Sequence, residues 1–327
     1  MSTAVHPPVA GAPTSERPGG LLHVTKGHGT QNDFVLLDDR DGRLDLGADL
    51  VRALADRRAG VGGDGVIRLV ASSHVPEGLA LLDEAPEAQW FMDYRNADGS
   101  VAEMCGNGVR VFALYLDRLG LWPQAQEVVV GTRAGVMRVR RVAAPQGFGD
   151  AWFAFDIGRW HLPGGRAAAE AGFDAEVAVA GLDVARPALS VDVGNPHSVL
   201  ALRDVAELAA ADLTRAPQVQ PVPPHGTNVE IVVPLGESVV DGRTTGRVRM
   251  RVHERGVGET RSCGTGAVAA AMAVRTWAGP AAPQVWLVDV PGGTVRVTAL
   301  GDDHAELAGP AVLVGEMDVD LTALLSR

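Results

Sequence analysis

Met104-Cys105-Gly106-Asn107-Gly108, which runs into the apolar stretch Val109 to Leu119, returns later in the chain as Ser262-Cys263-Gly264-Thr265-Gly266 ahead of Ala267 to Trp277. What precedes each copy also matches. Trp90 to Tyr94 reads as a strand that meets the polar turn Arg95-Asn96-Ala97-Asp98-Gly99-Ser100. Val248 to His253 alternates as a strand, with Val248, Met250 and Val252 on one face, and meets Glu254-Arg255-Gly256-Val257-Gly258-Glu259-Thr260. Both passages follow one plan of strand, polar turn, Cys-Gly-x-Gly and apolar helix. Positions 105 and 263 are 158 apart, close to half of the chain beyond residue 20. A copied domain explains this spacing. Further along, Val128 to Val136 contains Gly131-Thr132-Arg133-Ala134-Gly135 and Val288 to Val297 contains Pro291-Gly292-Gly293, again in register.

Both helices are apolar nearly all round, the pattern of a helix enclosed on every side. The expected fold is therefore α+β, with two similar domains from an internal duplication, each a mostly antiparallel sheet wrapped around a central buried helix. The Pro- and Gly-rich stretch Ala144 to Gly149 sets the boundary. Residues 1–20 are expected as a disordered tail, 21–145 as the half carrying Cys105, and 146–327 as the half carrying Cys263, with the last strand free to cross back.

Leu21 to Val24 and Phe34 to Asp38 read as strands around a loop from Lys26 to Asp33, with a helix near Ala48 to Arg57. Gly60, Gly62 and Gly65 satisfy G-x-G-x-x-G. A dinucleotide fingerprint needs a strand before the glycines and a helix after them, and here the order is reversed. They are read as a tight loop into the strand Val66 to Ala71.

A chain of 327 residues that is 46% hydrophobic can bury a sizeable core and exceeds what one compact domain usually needs. Its 29 basic and 40 acidic residues give a net charge of −11, which argues against nucleic acid or an anionic membrane as partner. Two cysteines make no disulfide framework and point to a reducing compartment, the cytoplasm. Met1 to Gly20 lacks the apolar core of a secretory signal, and no apolar run reaches the length that spans a bilayer. The histidines and cysteines lack ligand spacing, since His253-Glu254 is no H-E-x-x-H and C-x-x-C is absent, so no metal is expected. The single lysine, Lys26, lies ahead of the motifs and is poorly placed for a pyridoxal Schiff base, so no cofactor is expected.

The chemistry follows from where the cysteines sit. The thiolate is the reactive form, and a helix N-terminus lowers a thiol's pKa through its unpaired N–H groups and macrodipole. Glycines at 106, 108, 264 and 266 leave those amides open to a carboxylate. Inverting an α-carbon needs one group to remove a proton from one face and another to deliver a proton to the other. A duplication supplies such a pair, and amides at Gly106-Asn107 and Gly264-Thr265 can hold the carbanion's charge on the adjacent carboxylate. A pair of cysteines is most often buried as small core residues. That reading explains neither the glycines beside them nor the polar turn before each.

Taken together, the motifs carry a resemblance. Gly29-Thr30-Gln31-Asn32-Asp33-Phe34, Asn96-Ala97-Asp98-Gly99-Ser100 with Cys105-Gly106-Asn107-Gly108, Gly194-Asn195-Pro196-His197, Thr227-Asn228, and Glu254-Arg255-Gly256 through to Cys263-Gly264-Thr265-Gly266 resemble the diaminopimelate epimerase family over nearly the whole chain beyond the tail. The resemblance implies conversion of LL-diaminopimelate to the meso form, in lysine and peptidoglycan precursor biosynthesis, by a homodimer. It implies that Cys105 takes the proton from the LL substrate and Cys263 donates to the other face. Asn32, Asn96, Asn195 and Asn228 fall at binding positions and His197 at an active-site position. Glu254 is expected to meet an ammonium group, and Arg255 to grip the carboxylate of the non-reacting centre in bidentate fashion. Some family members carry Gln where this chain has Gly65, so a side-chain contact to substrate is missing there. Two other readings compete: a proline racemase-like enzyme, which shares the paired cysteines, and a thiol redox sensor, in which they form a regulatory disulfide.

Overall fold

The computed structural model describes residues 16–17, 20–123, 127–149 and 151–326. The chain divides into two compact units. The first runs to Val142 and takes back Ala151–Phe153 and the chain from Ala311 onward; the second holds 143–149 and Ala154–Pro310. The returning C-terminal segment includes the strand Val312–Asp320, which pairs antiparallel with Leu21–Gly29, the crossing-back that the division at 145/146 left open for the last strand.

In the first unit the antiparallel hairpin of Leu21–Gly29 and Asn32–Asp38 leads, parallel, to Gly65–Ala71, which pairs antiparallel with Trp90–Asn96. After the helix Gly106–Arg118 the chain adds Glu127–Thr132 parallel to Trp90–Asn96, then Gly135–Val142 antiparallel to it. The apolar run Phe34-Val35-Leu36-Leu37 is fully buried because this sheet is covered on both faces. Val35 and Leu37 pack with Leu50, Val51 and Leu54 of the helix Ala48–Ala55, while the strand's other face meets Gly106–Arg118.

The expected loop from Lys26 to Asp33 is a correction. The strand continues through Gly29, and the chain reverses at Thr30 and Gln31 alone, both left-handed at φ 49° and 63°, the geometry of a two-residue hairpin turn. Gly27 and Gly29 obscure the strand pattern for a packing reason. A Cβ on Gly27 would lie 2.9 Å from Val111 Cγ1, and one on Gly29 2.9 Å from the Asn107 carbonyl oxygen. The close pass of the central helix thus demands glycines inside a strand. Of the expected tail, 1–15 and 18–19 lie outside the described residues, whereas Glu16 and Arg17 pair antiparallel with Leu22 and Leu21.

The second unit repeats the plan. An antiparallel hairpin, Arg186–Asp192 with Pro196–Ala201, leads parallel to Asn228–Val240, which pairs antiparallel with Arg243–Glu254. After the helix Gly264–Ala278 come Val285–Val290, parallel to Arg243–Glu254, then Gly293–Ala299 and His304–Pro310, each antiparallel to the one before. In both units the strands wrap one helix, so the fold is α+β and duplicated as expected. The copies agree in register: Phe91 faces Gly131 in one and Arg249 faces Asp289 in the other, each pair at the same distances from its cysteine.

The helices are less alike than their sequences suggest. Gly264–Ala278 is apolar and buried from Gly266 through Val274, where five alanines let the strands close in. Gly106–Arg118 buries a guanidinium, Arg110, and leaves Leu114, Asp117 and Arg118 partly exposed. The expectation of a helix apolar nearly all round and enclosed on every side holds for the second and fails for the first.

Candidate active site

Each cysteine caps its helix with the same backbone. Cys105 stands at φ −138°, ψ 119° and Cys263 at φ −121°, ψ 119°. Their carbonyls accept from Val109 N at 2.8 Å and Ala267 N at 2.9 Å. The second glycine of each Cys-Gly-x-Gly lies under the cysteine side chain. A Cβ on Gly108 would come 3.2 Å from Ile67 Cδ1 and 3.4 Å from Cys105 Cβ; one on Gly266 would come 2.7 Å from Glu230 Oε1 and 3.2 Å from Cys263 Sγ. The motif therefore records a packing requirement beneath the thiol.

Around Cys105 a chain of amides converges. Its Sγ donates to Asn32 Oδ1 at 3.4 Å, and Asn107 Nδ2 donates to the same oxygen at 3.1 Å. Asn32 is oriented from behind, because its Nδ2 donates to Asp64 Oδ2 at 2.6 Å and Asp64 in turn accepts from Arg57. Asp33 accepts from Arg57 and from Lys26, whose Nζ also donates to the Gly62 carbonyl, so the one lysine is held in an ion pair. Burial works to raise the Asp33 carboxyl, but hydrogen bonds from Arg57 and Lys26 outweigh it and hold it at about 2. Asn96 ends its strand opposite Gly65, with Nδ2 donating to Ser100 Oγ at 3.0 Å. At Gly65 a Cβ would collide with the Arg95 carbonyl oxygen and the Tyr94 ring. The glycine there is required by this backbone, and no longer side chain fits.

Cys263 has a different setting. Gly266 N donates to its Sγ at 3.3 Å, and Thr265 Oγ1 lies 3.5 Å away. Both help an anion, yet burial first, then the carboxylates of Glu254 and Glu230, push this thiol well up. The expectation that both helix starts lower their thiol's pKa is overturned at Cys263, where desolvation outweighs the helix terminus. His197 is buried with both nitrogens engaged, Nδ1 with Glu230 Oε1 at 2.7 Å and Nε2 with Asn195 Oδ1 at 3.0 Å. It orients Asn195 as Asp64 orients Asn32. Asn228 is also inward, donating to the Pro196 carbonyl at 3.2 Å and accepting from Arg255 N at 2.9 Å. It ties two loops together. Glu254 accepts from Thr260 Oγ1, and the exposed Arg255 donates from Nη1 to the His225 carbonyl at 2.7 Å.

In each unit these residues gather at one end of the sheet, where the parallel strands begin and the antiparallel one ends. Register pairs Phe34 with Gly65 and Gly65 with Asn96; the counterparts are His197 with Asn228 and, one step beyond Val229 with His253, Asn228 with Glu254. Asn32 thus matches Asn195, Gly65 matches Asn228, and Asn96 matches Glu254, each of the last pair nine residues before its cysteine. Three residues escaped the sequence reading: Asp64, Arg110 and Glu230. Charged residues inside apolar runs, Arg110 after Gly108-Val109 and Glu230 before Ile231-Val232-Val233, were the available signal. Among the described residues no group of three or more His, Cys, Asp or Glu side chains is placed to hold a metal ion. No helix among them is long and apolar enough to cross a membrane.

Fold and site define a class of protein: a duplicated α+β chain with a cysteine capping the central helix of each copy. The family model described as diaminopimelate epimerase matches residues 24–146 and 189–314. A diaminopimelate epimerase of Rhodococcus jostii is 48% identical, covering 91% of this chain and 97% of the relative, and one of Streptomyces coelicolor is 46% identical, covering 90% and 94%. A solved hydroxyproline epimerase from Agrobacterium vitis shares 14% identity at a TM-score of 0.52, covering 93% of this chain and 94% of that one, a likeness of fold alone. The chain belongs to the diaminopimelate epimerase family and is an isomerase.

Proposed function

We propose that this protein interconverts LL- and meso-2,6-diaminopimelate by two-base proton transfer at one α-carbon, with Cys105 and Cys263 as the acid–base pair. The observation that carries the reading is the matched pair of thiols capping matched helices in a chain of this family. One thiolate removes the α-proton; the other thiol delivers its own to the opposite face, and the roles exchange in the reverse direction. The amides of Gly106, Asn107, Gly264 and Thr265 are assigned to the reacting carboxylate, whose charge grows as the proton leaves. Arg255 and Glu254 are assigned to the carboxylate and ammonium groups of the substrate. Asn32, Asn96 and Asn195 are assigned to hydrogen bonds with it, while Asn228 and His197 act by holding those groups in place. No step in this scheme calls on a cofactor.

The test is solvent-deuterium incorporation. With LL-diaminopimelate in heavy water, the meso product of a single turnover by the wild type carries deuterium at its inverted α-position only, and Cys105→Ser and Cys263→Ser each lose epimerisation by at least about a thousandfold. Full activity in either variant would leave the redox-sensor reading standing. A homodimer and a cytoplasmic location belong to the same proposal. The first is supported by exposed Val312, Val314 and Met317 along one strand, and the second by two free cysteines; sedimentation velocity and cell fractionation test them.

A further inference from the structure

The two units also differ on the outer face of the sheet, away from the central helix. In the first unit the strands Gly65–Ala71 and Trp90–Asn96 are joined through the helix Pro76–Leu82, which lies on that face. Phe91 is fully buried with Val75 and Leu81, and a Cβ on its neighbour Gly131 would lie 3.3 Å from Leu81 Cδ1. In the second unit the matching strands Asn228–Val240 and Arg243–Glu254 are joined by Asp241 and Gly242 alone, both left-handed. A two-residue turn has no room for a covering helix. The residues beneath have changed with the cover: Arg249 stands where the first unit has Phe91, and Asp289 where it has Gly131.

What this leaves is a pocket of about 550 Å³, within the size range of small-molecule sites. One wall is apolar, built by Val205, Leu208 and Ala209 of the short helix Val205–Ala210 together with Val290 and Pro291. The other wall is a row of guanidiniums. Val248, Met250 and Val252 are buried in the core, so alternation along the strand sends Arg247, Arg249 and Arg251 outward together. Arg251 is fully engaged, with Nε and Nη2 on the Glu259 carboxylate and Nη1 on the Leu208 and Ala211 carbonyls. Arg247 grips Asp289 in bidentate fashion at 3.0 and 3.1 Å, and Thr294 Oγ1 donates to the same carboxylate at 2.9 Å. Arg249 is different. It makes no hydrogen bond among the described residues, and its ion-pair contact is the already occupied Asp289 Oδ2, 3.6 Å from Nη2. Three cations thus face two carboxylates, a local positive excess in a chain whose net charge is −11.

We propose that this pocket is a second ligand site, taking a small organic anion that carries a phosphate or carboxylate head on a short apolar stem. The head pairs with Arg249, and the stem lies on Val205, Leu208 and Pro291. An amino acid such as the diaminopimelate assigned to the cysteines fits poorly, because Asp289 and Glu259 are both held by guanidiniums and leave nothing for an ammonium group. Occupancy also reaches the approach to Cys263. Arg251 ties the short helix to Glu259, and Gly292 N donates to the Arg261 carbonyl at 2.9 Å, so both walls are bonded to the segment that leads into the cysteine. A ligand that joins the walls steadies that segment, which makes the pocket an effector site.

Isothermal titration calorimetry with phenyl phosphate as the probe tests the site. The wild type is expected to bind it with a Kd at or below about 1 mM, and to bind inorganic phosphate and phenol each at least about tenfold more weakly. Phenylacetate, titrated in parallel, tells which head group the pocket prefers. Arg249→Met, at a half-exposed residue with no hydrogen bond to lose, weakens phenyl phosphate by at least about tenfold, whereas Arg243→Met, on the same strand outside the pocket, leaves it unchanged. Saturating LL-diaminopimelate does not displace the probe. In peptide-resolved hydrogen exchange the bound probe slows the pocket walls and also Gly258 to Ser262. Wild-type binding weaker than about 10 mM, a probe no tighter than inorganic phosphate, equal affinity in Arg249→Met, or displacement by diaminopimelate overturns the site. Unchanged exchange from Gly258 to Ser262 with the probe bound overturns the effector role. Each of these is a binding measurement, so its outcome is independent of whether Cys105→Ser and Cys263→Ser abolish epimerisation.

Discussion

The two units share a backbone plan down to single residues of register, yet the interiors beneath their cysteines have little in common. Phe91 and Gly131 pair as Arg249 and Asp289 do, and Gly108 recurs as Gly266, because strand crossing and helix approach leave no other choice. Phe34 and Ile67, by contrast, became His197 and Glu230, and Arg110 became Val268. Duplication has preserved what the backbone needs at the helix start and released what the thiol feels there.

The sharpest way to break the comparison is to move one interior toward the other. Glu230→Ile alone leaves a buried nitrogen of His197 without its hydrogen-bond partner, and is expected to destabilise the second unit by about 3 kcal/mol in denaturant unfolding. Glu230→Ile with His197→Phe installs the apolar pair of the first unit, and most of the stability should return, since a buried hydrogen-bonded pair exchanges for packed apolar groups of similar shape at small cost. If the double variant is no better than the single one, the two floors are not equivalent. Next in size are the glycines. Gly266→Ala forces a methyl group to 2.7 Å from Glu230 Oε1 and should cost about 2–3 kcal/mol, whereas Gly108→Ala meets a deformable Ile67 side chain at 3.2 Å and should cost about 1 kcal/mol. Equal costs would mean that the carboxylate moves as freely as the methyl.

Much of this was legible in the sequence, and what was not has a common cause. Repetition of Cys-Gly-x-Gly after a strand and a polar turn disclosed the duplication, the helix starts and both thiols. The Lys26 to Asp33 strand ends were hidden, because Gly27 and Gly29 answer to the helix that crosses them and not to local propensity. The return of the last strand was allowed for, but the register of Val312–Asp320 against Leu21–Gly29 is long-range pairing that no local pattern encodes. Asp64 and Glu230 were overlooked since each acts one step removed, on Asn32 and through His197. Ranking Cys263 as an easily ionised thiol failed because burial, which position along the sequence does not display, outweighs the helix terminus.

The two asparagines at the matched strand starts offer a gentler test. Asn32 is turned toward Cys105 by a carboxylate and Asn195 is held by a histidine ring. Asp64→Ala should therefore lower kcat/KM by about tenfold, roughly the value of one charge-assisted hydrogen bond, with little change in unfolding midpoint. A loss of stability without loss of rate would reassign Asp64 to bracing Arg57.

A last difference between the units concerns acid. Asp33 sits at about 2 in the folded protein, because hydrogen bonds from Arg57 and Lys26 overcome its burial, and near the ordinary value of about 4 when unfolded. Its folded pKa is depressed, so its contribution is complete above about pH 4 and is lost as pH falls toward 2. The matched residue in the second unit is Pro196, which carries no charge, so this acid dependence belongs to the first unit alone. Asp33→Asn is expected to lower stability at pH 7 by about 1–2 kcal/mol and to flatten the loss between pH 4 and 2. The figure stays small because Arg57 is more than half exposed, and solvent and salt screen its half of the interaction. An acid profile unchanged by Asp33→Asn would place the acid-sensitive carboxylate elsewhere, and the first candidate would then be Asp93, buried among Arg68, Arg95 and Arg133.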